Sequence, residues 1–266
     1  MLLAELSQLF RRRRIHVLLA VLALIPIAIS VALKFAGGPT GGDGPAFLNQ
    51  VTNNGVFASL AALTIALPVF LPLTVSVVSG DAIAGEATLG TLRYLLARPT
   101  GRTRLLVAKG VSVAVFCVAA ALIVAVSGLI AGTILFPVGK VTTLSGDTLS
   151  LTGGMVRIAL AAALVGLSLF GLAAIGVFIS TLTDVAVGAI AATLGLLILS
   201  GVLDAIPQVS GIHPWLITHH WLSFGDVMRT HIAWSSILKN LEIQGGYLLV
   251  FAAAAWARFT SRDVLA

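Results

Sequence analysis

Val111-Ser-Val-Ala-Val-Phe-Cys-Val-Ala-Ala-Ala-Leu-Ile-Val-Ala-Val-Ser-Gly-Leu-Ile-Ala-Gly-Thr-Ile-Leu-Phe136 runs for 26 residues without a charged side chain. A helix rises about 1.5 Å per residue and the hydrocarbon core of a bilayer is about 30 Å thick, so about 20 such residues cross it. The run is continuous and lacks the period-two alternation of a membrane barrel strand, which leaves a spanning helix.

Working outward, Ile15 to Ala36, Gly55 to Ser79, Ile158 to Ser180, Val185 to Leu203 and a shorter stretch from Ile243 to Ala257 repeat the pattern. With Val111 to Phe136 they predict six spans in one all-α membrane domain covering residues 1–266. The composition agrees: 58% of the 266 residues are hydrophobic and 10% charged, with a mean hydropathy of +1.07. A soluble domain carries about a quarter charged residues, so most of this surface must face lipid.

The first span follows Arg11 to Arg14 and reaches Ser30-Val31-Ala32, the layout of a cleavable signal. Its apolar run is longer than a typical signal core, which favours an uncleaved anchor. Before it, Leu2, Leu6, Leu9 and Phe10 fall near one face of a helix and Glu5, Ser7 and Gln8 fall away. Residues 1–14 therefore read either as an amphipathic helix on the membrane surface or as a simple basic anchor.

Sixteen Lys and Arg against ten Asp and Glu give a net charge of +6. Placing the N-terminus in the cytoplasm puts 11 basic residues inside and 5 outside, the distribution the positive-inside rule requires. Both termini are expected in the cytoplasm. The excess charge is then a topology signal and a contact with anionic headgroups, and nucleic-acid binding drops out. Cys117 is the single cysteine, which excludes an intrachain disulfide and CxxC frameworks.

Punctuation fits these boundaries. Gly37 to Pro45 is a turn-rich loop, Asp184 is placed to start the fifth span, and Pro68 and Pro72 should bend the second. That bend reads as a fixed kink or as a flexible gate. The spans contain no Asp, Glu, Lys or Arg away from their ends, so a proton-driven antiporter has nothing to titrate. An intramembrane enzyme lacks its paired aspartates or Ser-His arrangement for the same reason. No G-x-x-x-x-G-K-[ST] loop is present to hold ATP, so the energy for uphill transport would come from another subunit.

Residues 80–109 form a long loop between the second and third spans. Asp81 can cap a short helix whose apolar side carries Ile83, Leu89, Leu92, Leu95 and Leu96, ended by Pro99-Thr100-Gly101. Within it, G-E-x-x-x-G-T-L-x-x-L-L-x-x-P-x-x-R runs from Gly85 through Arg102. This pattern, in that loop of a six-span chain with an amphipathic start, resembles the signature of the ABC-2 type permeases, the membrane subunits of bacterial ABC exporters.

The resemblance implies a cytoplasmic coupling helix in this loop that docks on an ATP-binding subunit, with Asp81, Gly85, Glu86, Gly90, Thr91, Leu92, Arg93, Pro99 and Arg102 as the coupling residues. Glu86 would pair with a basic residue of that partner or cap backbone donors, while Gly85 and Gly90 allow close approach. Arg93, Arg98, Arg102 and Lys109 would contact the partner or anchor the loop to headgroups, the latter being favoured. It further implies two permease chains, identical or sister, and two ATP-binding subunits that bind ATP and Mg, in a bacterial cell membrane. The chain itself would hold no cofactor or metal and would not be an enzyme. The pathway would be lined by the second and fifth spans, where Thr64, Pro68, Pro72, Ser76, Thr193 and Ser200 stand, and would suit a lipophilic or amphipathic substrate.

Residues 204–241 carry His213, His219, His220 and His231 with Asp226 and three tryptophans, Trp215, Trp221 and Trp234. Adjacent His219 and His220 point to different sides of a helix, which argues against a shared metal and for an aromatic interfacial belt. That belt matches the re-entrant helices ABC-2 permeases place before the last span. The rival readings are a membrane-embedded enzyme using these histidines and a non-transporting anchor.

Overall fold

The computed structural model describes residues 2–36, 48–88, 90, 101–139, 141–143 and 147–261. Helix α1 (Leu2–Arg11) is separated by Arg12 from α2 (Arg13–Ala36). Short α3 (Leu48–Val51) and a 3-10 turn (Gly55–Phe57) lead into α4 (Ala58–Ala66) and α5 (Phe70–Thr88). After α6 (Arg102–Leu135) come a small hairpin of β1 (Val141–Thr142) and β2 (Thr148–Leu149), then α7 (Leu151–Ser168), α8 (Phe170–Leu182) and α9 (Ala186–Asp204). Two 3-10 segments, Pro207–Trp215 and Trp221–Met228, precede α10 (Trp234–Ser261). The expected turn-rich loop at Gly37 to Pro45 lies outside the described residues.

Among the described residues, four stretches are long and apolar enough to cross a bilayer: Arg13–Phe35, Arg102–Leu135, Leu151–Leu182 and Ala186–Asp204. Gly55–Ala66 and Phe70–Thr88, bent by 57°, make a fifth if the pair is one span. The chain is thus a multi-pass membrane protein of the all-α class, with one small hairpin. Helix α10 has 28 residues, but Lys239, Asn240, Glu242 and Gln244 make its first half too polar to join that set. The expected sixth crossing therefore stands outside the four or five that length and composition establish.

Several boundaries move. The third span begins at Arg102 and the second runs on to Thr88, so the two helices take up most of the stretch 80–109 that was expected to be loop. Charged residues were read as loop, yet charge at a helix end interrupts no backbone hydrogen bond. The fourth span begins at Leu151, capped by the Ser150 hydroxyl on the Gly153 N–H, and breaks at Leu169. The fifth starts at Ala186, with Val185 as its N-cap residue. The expected bend at Pro68 is present as the break between α4 and α5. Pro72 falls in the first turn of α5, where its missing N–H would have no helical partner.

The bundle is held by close backbone contact. On α6, Gly128 and Gly132 lie one turn apart against the start of α4. A Cβ at Gly128 would lie 2.9 Å from Ser59 Cα, and one at Gly132 would collide with the Gly55 carbonyl. Ser59 donates its hydroxyl to the Ala125 carbonyl across the same seam at 2.8 Å. Small residues and interhelical hydrogen bonds are what drive association where lipid removes the hydrophobic difference.

At the end of the bundle opposite α1, Arg157 on α7 donates to the carbonyls of Val227 (2.9 Å), Arg229 and Thr230 (3.2 Å). Bonds to a charged group contribute about 1.5–3 kcal/mol each. Arg157→Ala is expected to release the 221–230 segment, read as limited proteolysis there becoming at least several-fold faster. Unchanged cleavage kinetics would show that the segment is held by Trp221 and Phe224 packing alone.

Candidate functional site

The low acid count makes each carboxylate informative, and three converge where α1, α5 and α6 meet. Arg12, in the bend after α1, donates to Asp81 at 3.2 Å and to Glu86 at 2.8 Å. Arg14 donates to both Asp81 oxygens. Lys109 on α6 lies 2.5 Å from Glu5 of α1 and 3.1 Å from Glu86 of α5. Glu5, Asp81 and Glu86 thus balance Arg12, Arg14 and Lys109 in one connected network.

Burial gives this network its weight. Glu86 and Lys109 are each 5% exposed and Asp81 is 8% exposed, so water screens them poorly and each charge depends on its neighbours. Gly85 is part of the geometry: a Cβ there would stand 2.7 Å from Asp81 Cγ, in the space the Asp81 side chain uses one turn earlier. Asp81 does not cap a separate helix, because it lies inside α5. Glu86, expected to pair with a basic residue of a partner or to cap backbone donors, meets Arg12 and Lys109 within the chain. Lys109 is likewise a buried ion-pair partner rather than a headgroup anchor.

Gly90 has φ of 69° and its N–H reaches the Ala87 carbonyl at 2.9 Å. This left-handed turn ends α5, which is why glycine stands there. Arg102 donates to the Thr260 carbonyl near the end of α10 at 3.0 Å. Thr91, Leu92, Arg93 and Pro99 lie outside the described residues, as do Leu89, Leu95, Leu96 and Arg98.

Two hydroxyls extend the site into the bundle. Ser180 Oγ on α8 accepts from the Ile83 and Ala84 N–H groups of α5 at 2.9 and 2.8 Å. Thr88 Oγ1, on the last residue of α5, lies 2.7 Å from the Asp184 carbonyl and 2.8 Å from the Ala84 carbonyl, which share its one proton, and accepts from Ala186 N–H at 3.4 Å. The site end of α5 is therefore joined to α8 and to the first turn of α9.

Between the α4–α5 break, α9 and the second 3-10 segment lies a cavity of about 430 Å³, walled by Pro68, Leu73, Leu197, Ile198 and Trp221, with Asp204 and Thr218 as polar groups. Pro68 alone of the sequence-derived pathway residues is among its walls. Thr64 and Thr193 donate back to Leu60 and Ala189 at 2.8 Å each, the ordinary fate of a helical hydroxyl. Ser200 pairs with Thr218 at 3.0 Å. Pro72 and Ser76 are buried, and the Ser76 hydroxyl has no hydrogen-bond partner among the described residues.

Sequence reasoning did not single out Arg12, Arg14 and Glu5 as site residues. The signal was there in Glu5, the sole acid in the first 42 residues, beside a run of four arginines. It also passed over Asn240 and Gln244, which are buried on α10 and bond to Ser168 and the Ile217 carbonyl at 2.6 and 2.9 Å. Near the far end, Asp204, His213 and His219 come together. His220, beside them, is held below the usual histidine range by burial, with repulsion from His219 and Lys239 adding to it.

A protein-family model described as ABC-2 family transporter protein matches residues 1–264. Comparison with curated proteins gives no match.

Proposed function

The chain belongs to the ABC-2 family of transporter proteins, and from that membership we propose that it is the permease of an ATP-driven exporter for lipophilic or amphipathic compounds. The observation that carries this reading is the connected charge network of Glu5, Arg12, Arg14, Asp81, Glu86 and Lys109. It joins the surface arm, the end of α5 and the start of α6 into one block, immediately beside the 89–101 segment that carries the G-T-L-x-x-L-L-x-x-P motif.

In this reading the block is cytoplasmic and a separate ATP-binding subunit presses on the 89–101 segment. Salt-bridged α1 and α6 make the block move as a unit. Thr88 and Ser180 pass the displacement to α8 and α9, and the break at Leu67–Val69 lets α5 tilt while α4 stays seated on α6. The cavity between α5 and α9 then changes shape. Its aliphatic and aromatic walls favour a substrate with a large apolar body. Two permeases and two ATP-binding subunits complete the assembly, with ATP and Mg held by the latter and both termini of this chain in the cytoplasm of a bacterial cell.

The test is capture of the tagged chain from its native membrane, followed by reconstitution. A stoichiometric partner with a Walker A loop is expected, its ATP hydrolysis stimulated by apolar amphiphiles. A chain that purifies alone and supports no ATP-dependent flux overturns the proposal.

A further inference from the structure

We propose that Asp204, His213 and His219 form a binding site for a divalent transition-metal ion, which fastens the segment after α9 to the end of that helix. The three residues come from different local structures. Asp204 is the last residue of α9, His213 lies in the first 3-10 segment and His219 in the turn before the second. Spacing in sequence argued against a shared ion because His219 and His220 are adjacent. The fold needs only one of them, and it brings His219 to Asp204 with Nδ1 and Oδ1 2.5 Å apart.

One potential ligand atom from each residue lies within 4.8 Å of the other two. Bonds of about 2.0–2.1 Å to a shared tetrahedral ion need separations of about 3.3 Å, so small side-chain rotations complete the set. The surroundings already orient one ligand. His213 Nε2 is 3.1 Å from the Ile206 carbonyl. As donor there it leaves Nδ1 with a free lone pair, the arrangement by which a backbone carbonyl fixes the tautomer of a metal-binding histidine. Asp204 also stands where the exposed carbonyls of a helix C-terminus favour a cation.

Two imidazoles and one carboxylate suit zinc, copper or nickel rather than magnesium or calcium. Three protein ligands leave a position for water, and partial exposure of the site allows the ion to exchange with solvent. Because Asp204, Thr218 and Trp221 also line the cavity beside α9, a bound ion would hold residues 205–220 against its rim.

The experiment uses the full chain, purified in detergent through a tag without histidine. Zinc titrated calorimetrically should bind at one equivalent per chain, and cobalt should give the intense visible absorption of a low-coordinate ion. His213→Ala and His219→Ala should each weaken zinc at least about tenfold and remove the cobalt band. Asp204→Asn, which keeps size, covers the case in which a histidine variant misfolds. His231→Ala should leave binding intact. Absence of stoichiometric zinc, or equal affinity in the wild type and the His213→Ala/His219→Ala double variant, overturns the proposal.

Discussion

Glu86→Ala is expected to abolish ATP-driven transport in reconstituted vesicles while the chain still inserts into the membrane. In the native protein Glu86 accepts from Arg12 at 2.8 Å and from Lys109 at 3.1 Å at 5% exposure. Removing the carboxylate leaves two cations facing each other with, among the described residues, Glu5 and Asp81 to balance them, and breaking a buried pair this way costs about 3–5 kcal/mol. That cost falls on the docked position of α1, so the block is no longer rigid. Transport should drop by about a hundredfold or more, since each 1.4 kcal/mol corresponds to about a factor of ten. Glu86→Gln keeps one acceptor oxygen and should retain part of the rate. The double change Glu86→Leu with Lys109→Met replaces the pair by apolar groups, which often restores stability. Because Glu5 then loses its Lys109 partner, the double change should recover part of the melting temperature without recovering transport. Recovery of both would assign the network to folding alone.

Four of the spans, and the bent pair that makes a fifth, were legible because lipid imposes one strong rule, a long charge-free run for every crossing, and Val111 to Phe136 obeys it openly. The length of α6, 34 residues beginning at Arg102, was not. Lys109 looked like a loop residue until Glu5 and Glu86 arrived from elsewhere in the chain to neutralise it. The same holds for Glu86, whose motif pointed to a coupling site but whose partners, Arg12 and Lys109, are 74 and 23 residues away. Pairings of that kind depend on how helices pack, which local spacing does not encode. His213 and His219 escaped for a related reason. The helical geometry used to separate His219 from His220 does not apply in a chain that turns at Leu216 and resumes as a 3-10 helix at Trp221. The α4–α5 break, by contrast, was readable at Pro68, because loss of a backbone donor is a local event.

Gly132→Leu is expected to prevent the chain from accumulating as a folded protein. The Gly55 carbonyl occupies the place of the missing Cβ, and Ala58 Cβ lies 2.7 Å from it, so a leucine must push α4 and its 3-10 turn off α6. Overpacking costs about 1–3 kcal/mol where neighbours can shift and more where they cannot; here the obstacle is backbone. Separation also breaks the Ser59 to Ala125 bond at 2.8 Å and the Gly55 to Pro137 bond at 2.9 Å. Gly139→Leu is the control, as a Cβ there meets nothing within 4 Å, and it should be neutral. The measurement is membrane abundance and the melting temperature of detergent-solubilised protein. Wild-type values for Gly132→Leu would show that the seam is not close-packed. The position matters beyond stability, because Lys109 and Gly132 are 23 residues apart on the same helix, about 35 Å. One end of α6 thus joins the ionic block and the other holds α4. With α4 fixed in this way, motion of the block is concentrated at the break before α5. A milder change, Gly128→Ala, should therefore slow transport more than its loss of melting temperature predicts.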